Sequence, residues 1–172
     1  MVSFIRFEEL PNGDVYAASL NVRPEIKGLS LGSAMLQAAL ENEGKDRITE
    51  AVAYLNNPML HNYIEKFGFV VCGADPDYKG SGEMFLLMRR DEKERTQLKG
   101  PALTKEEIIL AVLGRKENRG FEVRQYDLQN EEEFKNDLLV RLRGGSLLTR
   151  FYLANKNTAY VVFEKPPVLK AS

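Results

Sequence analysis

The chain has 172 residues, of which 44% are hydrophobic and 28% charged, with a formal net charge of -1. This composition is typical of a soluble globular protein, and the balanced charge gives no reason to expect nucleic acid as a partner. One cysteine, Cys72, excludes an internal disulfide, and one histidine, His61, leaves too few nitrogen and sulfur ligands for a zinc site, so we expect no metal. The sequence has neither a run of about 18 apolar residues nor a signal-type N-terminus, so by default we expect a cytoplasmic location and no membrane contact.

The first part of the chain predicts a hairpin, a loop and a helix. Residues 3–10 and 15–22 are strand-like on either side of a Pro-Asn-Gly turn, which is typical of an antiparallel hairpin. The loop at 27–32 reads Lys-Gly-Leu-Ser-Leu-Gly and directly precedes a helical segment that ends near residues 42–44. The apolar repeat that predicts this helix is formed by Leu31, Ala34, Met35, Ala38 and Ala39.

The next segments predict a strand, a helix and two further strands. Residues 47–55 are strand-like, and Asn57 followed by Pro58 is a typical helix start, with an N-cap and a proline at N1. Gly68 ends this helix, and strands are predicted at 69–72 and 83–88. The residues expected on one face of the helix are Leu60, Tyr63, Ile64 and Phe67.

The C-terminal part begins after a charged linker at 91–103. Thr104-Lys-Glu-Glu107 is a capping box that opens a helix. Residues 121–128 predict a strand, residues 130–143 a helix capped by Asn130, and residues 146–165 a hairpin.

The loop at 27–32 carries the first functional signal. Glycines directly before a helix N-terminus let backbone amides bind a phosphate. The run from Val22 to Ser33, followed by Asn57 and by Glu65-Lys-Phe-Gly-Phe69, resembles the acyl-CoA-binding half of the GNAT family of N-acyltransferases. The resemblance covers residues 1–90 and implies an α+β fold, with a mixed, mainly antiparallel sheet flanked by helices.

The resemblance implies acetyl-CoA as the cosubstrate and assigns residues to it. The strand at Leu20 to Val22 would splay from its neighbour and pair with the pantetheine amides, and the loop amides would bind the pyrophosphate. Asn57 would contact the pantetheine arm, and the alternative is that it serves only as an N-cap. The coenzyme-binding residues so predicted are Leu20, Val22, Lys27, Gly28, Leu29, Ser30, Leu31, Gly32, Ser33 and Asn57.

The sequence departs from the family pattern in two places. Ser30 replaces the middle glycine of the loop, which is tolerable if its φ stays negative. Counting back from Gly68, the general-acid tyrosine of the family corresponds to Ile64. Tyr63 is adjacent, but neighbouring helical residues point about 100° apart. Tyr63 therefore replaces that hydroxyl only if the helix is rotated or shifted, and the alternative is that it packs in the core.

Acyl transfer to an amine also needs a general base. Asp14, at the start of the second strand, and Glu50, on the third, are the candidates, and the alternatives are a turn aspartate and a solvent-facing strand carboxylate. The predicted catalytic residues are thus Tyr63, Asp14 and Glu50. His61 is interpreted as a surface residue.

The C-terminal part admits several interpretations. A complete family member begins with a strand and one or two helices that form the acceptor-binding wall, and the strand at 121–128 with its acidic helix is similar to that opening. One hypothesis is a circularly permuted or strand-exchanged fold, in which residues 104–172 complete the region at 1–90. The alternatives are a separate small α+β module and a fragment of a longer protein.

Two functions follow from these observations. The first is an enzyme that transfers an acyl group, in the simplest case from acetyl-CoA, directly to an amine of a small molecule, protein or peptide. The second is a catalytically degenerate module that binds CoA or a partner protein. The sequence leaves a homodimer open.

Overall fold

The computed structural model describes residues 3–23, 25, 30–42, 48–90, 104–112 and 121–166. The chain begins with the predicted hairpin, formed by β1 (Ser3–Glu9) and β2 (Val15–Val22), which pair antiparallel. The intervening turn is closed by a hydrogen bond from the Leu10 N–H to the Asp14 carbonyl (2.8 Å). Its Gly13 has a φ of +84°, a conformation that glycine adopts without strain.

Helix α1 (Leu31–Asn42) follows, and β3 (Ile48–Tyr54) is the third strand. The helix lies where the sequence predicts it, but the apolar repeat that predicts it is not its buried face. Ala34 and Ala38 are exposed. The buried residues of α1 are Gly32, Ser33, Leu36, Ala39 and Leu40. Short alanine side chains fit either environment, so their spacing alone does not fix the rotation of the helix.

The predicted helix after Asn57 is short and irregular. Residues 60 and 61 are α-helical, and Asn62–Lys66 form a π-helical turn. The four residues expected on its inner face are all buried. The strands β4 (Val70–Asp75) and β5 (Phe85–Arg89) follow.

The described residues of the C-terminal part form two helices and three strands. Helix α2 (Lys105–Val112) begins with the predicted capping box, in which the Thr104 N–H donates to Glu107 Oε2 (2.9 Å) and the Glu107 N–H to Thr104 Oγ1 (3.2 Å). The remaining elements, in chain order, are β6 (Phe121–Asp127), α3 (Glu131–Arg143), β7 (Leu147–Asn155) and β8 (Thr158–Glu164).

All eight described strands form one sheet, in the order β1-β2-β3-β5-β4-β7-β8-β6. The pairing of β2 with β3 is parallel and the other pairings are antiparallel. The predicted fold class, an α+β protein with a large, mainly antiparallel sheet flanked by helices, is confirmed. β6 joins the same sheet as β2, at the opposite end. Permutation and the division at 91–103, which lies outside the described residues, remain hypotheses.

The N-terminal and C-terminal parts meet at β4 and β7. Val71 of β4 pairs with Leu148 of β7. Further along β7, residues of the helical segment at 60–66 contact the strand in place of β4. Glu65 accepts a hydrogen bond from the Phe151 N–H (2.8 Å), and His61 Nδ1 donates to the Phe151 carbonyl (2.8 Å). His61 is thus half-buried and bonded to the main chain, which corrects its interpretation as a surface residue. One buried cluster runs from Val15 to Phe163 through both parts.

Candidate functional site

The parallel strands β2 and β3 separate part-way along their length. They pair at Val15 with Ile48, Tyr16 with Glu50 and Ala17 with Ala51, and no described pairing joins them beyond Ala17. β2 continues to Val22 while still paired with β1 on its other side. From Ala18 onward the edge of β2 that faces β3 is therefore free of strand partners among the described residues, as the predicted splay requires.

The closed end of the splay is the part where β2 and β3 are still paired, at residues 15–17 and 48–51. It carries two polar side chains. Tyr16 and Glu50 are register partners, so both side chains stand on the same face of the sheet. Partial burial raises the pKa of the Tyr16 phenol, and Tyr78 and the carboxylates of Glu8 and Glu50 raise it further. Glu50 itself is exposed, as the strand-carboxylate interpretation expects.

The open end of the splay faces the first turn of α1. Ser30 has a φ of +58°, so the condition that its φ stay negative is not met. A left-handed residue followed by a helical one turns successive N–H groups towards one concavity, which suits an anion. The Ser30 carbonyl accepts the first helical hydrogen bond, from Ala34 (3.0 Å), so the N–H groups of residues 31–33 have no hydrogen-bond partner inside the helix.

The start of α1 packs against the end of β2. A Cβ built on Gly32 would lie 3.5 Å from Leu20 Cδ2 and 3.7 Å from Val22 Cγ2. Ser33 is buried, and its hydroxyl accepts a hydrogen bond from Asn62 Nδ2 (3.1 Å). The predicted Leu20, Val22, Gly32 and Ser33 therefore lie together, but the Ser33 hydroxyl contacts the π-helical turn.

Asn57 caps the segment that leads into this turn. Its Oδ1 accepts a hydrogen bond from the Met59 N–H (2.8 Å), and its carbonyl accepts one from the Leu60 N–H (2.9 Å). The N-cap interpretation is thus met. The side-chain amide nitrogen has no hydrogen-bond partner within the described part of the chain, so it retains a donor for a ligand.

The π-helical turn contains Tyr63, which is 3% exposed. The turn is closed by a hydrogen bond from the Phe67 N–H to the Asn62 carbonyl (3.0 Å), five residues earlier. The ring of Tyr63 packs edge to face against Phe69, with centroids 5.6 Å apart. Burial raises the pKa of Tyr63 to about 12, and the nearby Tyr16 phenol adds to the shift. Tyr63 is a core residue, and its side chain lies near the closed end.

The comparison with protein families agrees with this geometry. The acetyltransferase (GNAT) family matches residues 1–69. Residues 1–69 are therefore similar to the GNAT family. This stretch, the GNAT region, contains the hairpin, α1, β3 and the π-helical turn, and it ends directly before β4. The match supports acyl-CoA-dependent acetyl transfer in general, and it covers less than half of the chain. No solved structure shows significant similarity to this chain.

The GNAT region brings together most of the predicted site residues that the structure describes. Leu20, Val22 and residues 30–33 line the open end, and Glu50 and Tyr63 lie near the closed end. Lys27, Gly28 and Leu29 are outside the described residues, so their role in binding pyrophosphate stays a prediction.

Asp14 lies in the hairpin turn, before the paired segment of β2. Its carboxylate accepts a hydrogen bond from Asn12 Nδ2 (2.8 Å), and its N–H donates to Asn12 Oδ1 (3.1 Å). These contacts match the alternative interpretation, a turn aspartate. The catalytic role of Asp14 remains a prediction.

Sequence reasoning did not single out two residues of this site. Tyr16 alternates with the buried Val15 and Ala17, a pattern that indicates only an outward-facing strand position. Asn62 bridges α1 and the π-helical turn, and a lone asparagine inside a helical segment gives no signal of such a contact.

Two further observations concern the described residues as a group. No cluster of three or more His, Cys, Asp or Glu side chains among them is arranged to hold a metal ion. None of the helices in these parts of the chain is long and apolar enough to cross a membrane.

Proposed function

We propose that this chain is an acyl-CoA-dependent N-acyltransferase that uses acetyl-CoA and transfers the acetyl group directly to an amine. The observation that carries the proposal is the splay between β2 and β3, which runs from the Ala17–Ala51 pair to the first turn of α1. The six residues of extended strand from Ala17 to Val22 span roughly 17 Å, which suits an extended pantetheine arm.

The residues at the two ends fit the two ends of the cosubstrate. The edge of β2 that has no strand partner among the described residues offers amides and carbonyls to the pantetheine, and the N–H groups of residues 31–33 meet the pyrophosphate at a helix N-terminus. Asn57 keeps a side-chain donor for the same arm. Acyl-CoA supplies the activated thioester, and the amine nitrogen forms the new bond to the acyl carbon while the carbon–sulfur bond breaks.

Tyr63 is the proposed proton donor to the leaving sulfur. The chain reads Tyr63-Ile64-Glu65-Lys66-Phe67-Gly68-Phe69, which is the family pattern with one residue added after the tyrosine. A turn closed by a bond between residues five apart contains one residue more than an α-helical turn. The π-helical turn therefore accommodates the added residue, and Tyr63 need not point away from the position of the family's tyrosine. The raised pKa keeps its proton in place at neutral pH.

Glu50 is the proposed proton acceptor for the incoming ammonium. It is the register partner of Tyr16 at the closed end, and as an exposed carboxylate it is reachable through water. The ammonium gives one proton to Glu50 before it attacks, and its nitrogen loses a second proton as the amide forms. Tyr63 gives its own proton to the leaving thiolate and regains one from that nitrogen through water, so the proton left on Glu50 is the one that the reaction releases to solvent.

The burial of Tyr63 favours a second candidate function, a module that binds CoA without catalysis. A side chain that is 3% exposed and packed against Phe69 is what a purely structural tyrosine shows. The two functions share the coenzyme site and differ in acyl transfer.

Isothermal titration with acetyl-CoA tests the shared site. We expect a Kd in about the micromolar to high-micromolar range, and no heat of binding up to about 1 mM would refute both functions. The matched variants are Gly32→Leu, which pushes a side chain towards Leu20 and Val22, and Ala34→Leu, at an exposed position of the same helix. Gly32→Leu should lower the affinity by about tenfold or more, and Ala34→Leu should not change it.

Release of free thiol from acetyl-CoA in the presence of an amine and peptide panel separates the two functions. Turnover supports the enzyme, and binding without turnover of any acceptor supports the module. In an active protein, Tyr63→Phe should lower kcat by about 10²–10⁴-fold, whereas Tyr160→Phe, a half-buried strand tyrosine, should leave it unchanged. An unaltered rate in Tyr63→Phe returns this residue to a structural role.

A further inference from the structure

A cavity of about 280 Å³ lies where the GNAT region meets the C-terminal part. Its floor is apolar and buried, formed by Leu55 and Leu60 from one part and by Phe134 and Phe151 from the other. None of these side chains has a polar group to be satisfied, so the floor accepts an aliphatic or aromatic group.

The rim of the cavity is polar and carries one charge of each sign. Glu131, at the start of α3, and Lys156, in the β7–β8 turn, both line it and are exposed. His61 lines it as well, and because its Nδ1–H donates to the Phe151 carbonyl, Nε2 is left for a ligand. Lys156 makes no ion pair with the described residues.

The walls of this cavity are held by hydrogen bonds between main-chain groups and fixed side chains. Both main-chain groups of Phe151 are bonded, the N–H to Glu65 and the carbonyl to His61. The β7–β8 turn is anchored because the Asn157 carbonyl accepts the Leu128 N–H (2.7 Å). The cavity is therefore preformed, which reduces the ordering cost of binding.

We infer that this cavity is a binding site for a small zwitterion with an apolar side chain, an apolar α-amino acid. The ammonium of the ligand meets the Glu131 carboxylate, its carboxylate meets the Lys156 ammonium, and its side chain enters the apolar floor. The volume lies just below the range typical of sites for drug-sized ligands, which suits a molecule of this size.

Isothermal titration of the full chain with L-leucine and L-phenylalanine, without any acyl-CoA, tests the site. We expect at least one of them to bind with a Kd below about 1 mM, and no binding of either up to about 10 mM would overturn the inference. Leucinamide, which lacks the carboxylate, and 4-methylpentanoate, which lacks the ammonium, should each bind about tenfold or more weakly. Affinities equal to that of leucine would overturn the zwitterion assignment.

Paired variants locate the site. Glu131 and Glu132 both contact Lys135 Nζ, at 2.9 and 3.4 Å, but Glu131 alone of the two lines the cavity. Glu131→Gln should weaken leucine binding by about tenfold, and Glu132→Gln should not. In the same way, Lys156→Gln should weaken leucine binding by about tenfold, whereas Lys165→Gln, at another exposed lysine, should not. Equal effects within either pair would contradict the assignment, whatever the result with acetyl-CoA.

Discussion

The contact between Glu65 and β7 predicts a large effect of one substitution on stability. Glu65 accepts hydrogen bonds from the Phe151 N–H (2.8 Å) and from Arg150 Nη1 (3.2 Å), and its side chain is only 13% exposed. Glu65→Ala leaves a buried N–H without an acceptor, which costs about 1–3 kcal/mol, and removes a partly buried ion pair worth about 1 kcal/mol. The expected loss is about 2–4 kcal/mol in the free energy of unfolding.

Urea unfolding followed by circular dichroism measures this loss. Glu65→Gln keeps a side-chain oxygen for the Phe151 N–H and loses only the charge opposite Arg150, so it should cost about 1 kcal/mol. Glu106→Ala, at an exposed position, should change stability by less than about 0.5 kcal/mol. A loss below about 0.5 kcal/mol in Glu65→Ala, or equal losses in the Ala and Gln variants, would show that this carboxylate does not join the two parts.

Three further predictions concern backbone strain and titration. Ser30→Gly removes the left-handed strain at φ +58° and should be neutral or stabilising by about 1 kcal/mol, whereas Ser30→Val should destabilise in the same urea assay. The hydrogen bond from Arg141 lowers the pKa of the Glu122 carboxyl, so its stabilising contribution is lost as the pH falls through the folded-state pKa. Between about pH 7 and pH 3, the free energy of unfolding of Arg141→Gln should therefore fall by less than that of the native chain. An equal fall in the two proteins would contradict this. Burial raises the pKa of Tyr63 to about 12, so the folded state holds this proton more tightly than the unfolded chain and stability falls from about pH 10 to pH 12. Tyr63→Phe should flatten that alkaline loss, and an unchanged slope would count against a raised pKa.

The strands and the capping box could be predicted from the sequence because their signals are local. Alternation in residues 3–10 and 15–22 and the turn residues between them define the hairpin without tertiary information. The capping box at Thr104 is likewise recognisable, because its two hydrogen bonds join residues three apart. The order of the strands in the sheet has no such local signal, since the pairing of Val71 with Leu148 joins distant parts of the chain.

The candidate site was less predictable because it depends on backbone geometry that side-chain patterns do not specify. Counting residues back from Gly68 assumes a regular α-helix, whereas Asn62–Lys66 form a π-helical turn. The left-handed φ of Ser30 runs against the usual preference of a residue with a Cβ, and no side-chain pattern in the sequence indicates it.

The two outermost strands of the sheet bear on how copies of this chain associate. An unpaired strand edge invites a strand from another molecule, and charged side chains oppose such addition. β1 carries an ion pair between Arg6 and Glu8 (3.1 Å), and β6 carries one between Arg124 and Glu122 (2.6 Å). A second copy that continued the sheet at either end would have to dehydrate such a pair. Addition of a strand from a second copy at either end is therefore disfavoured, and we expect any homodimer of this protein to form through a face of the molecule.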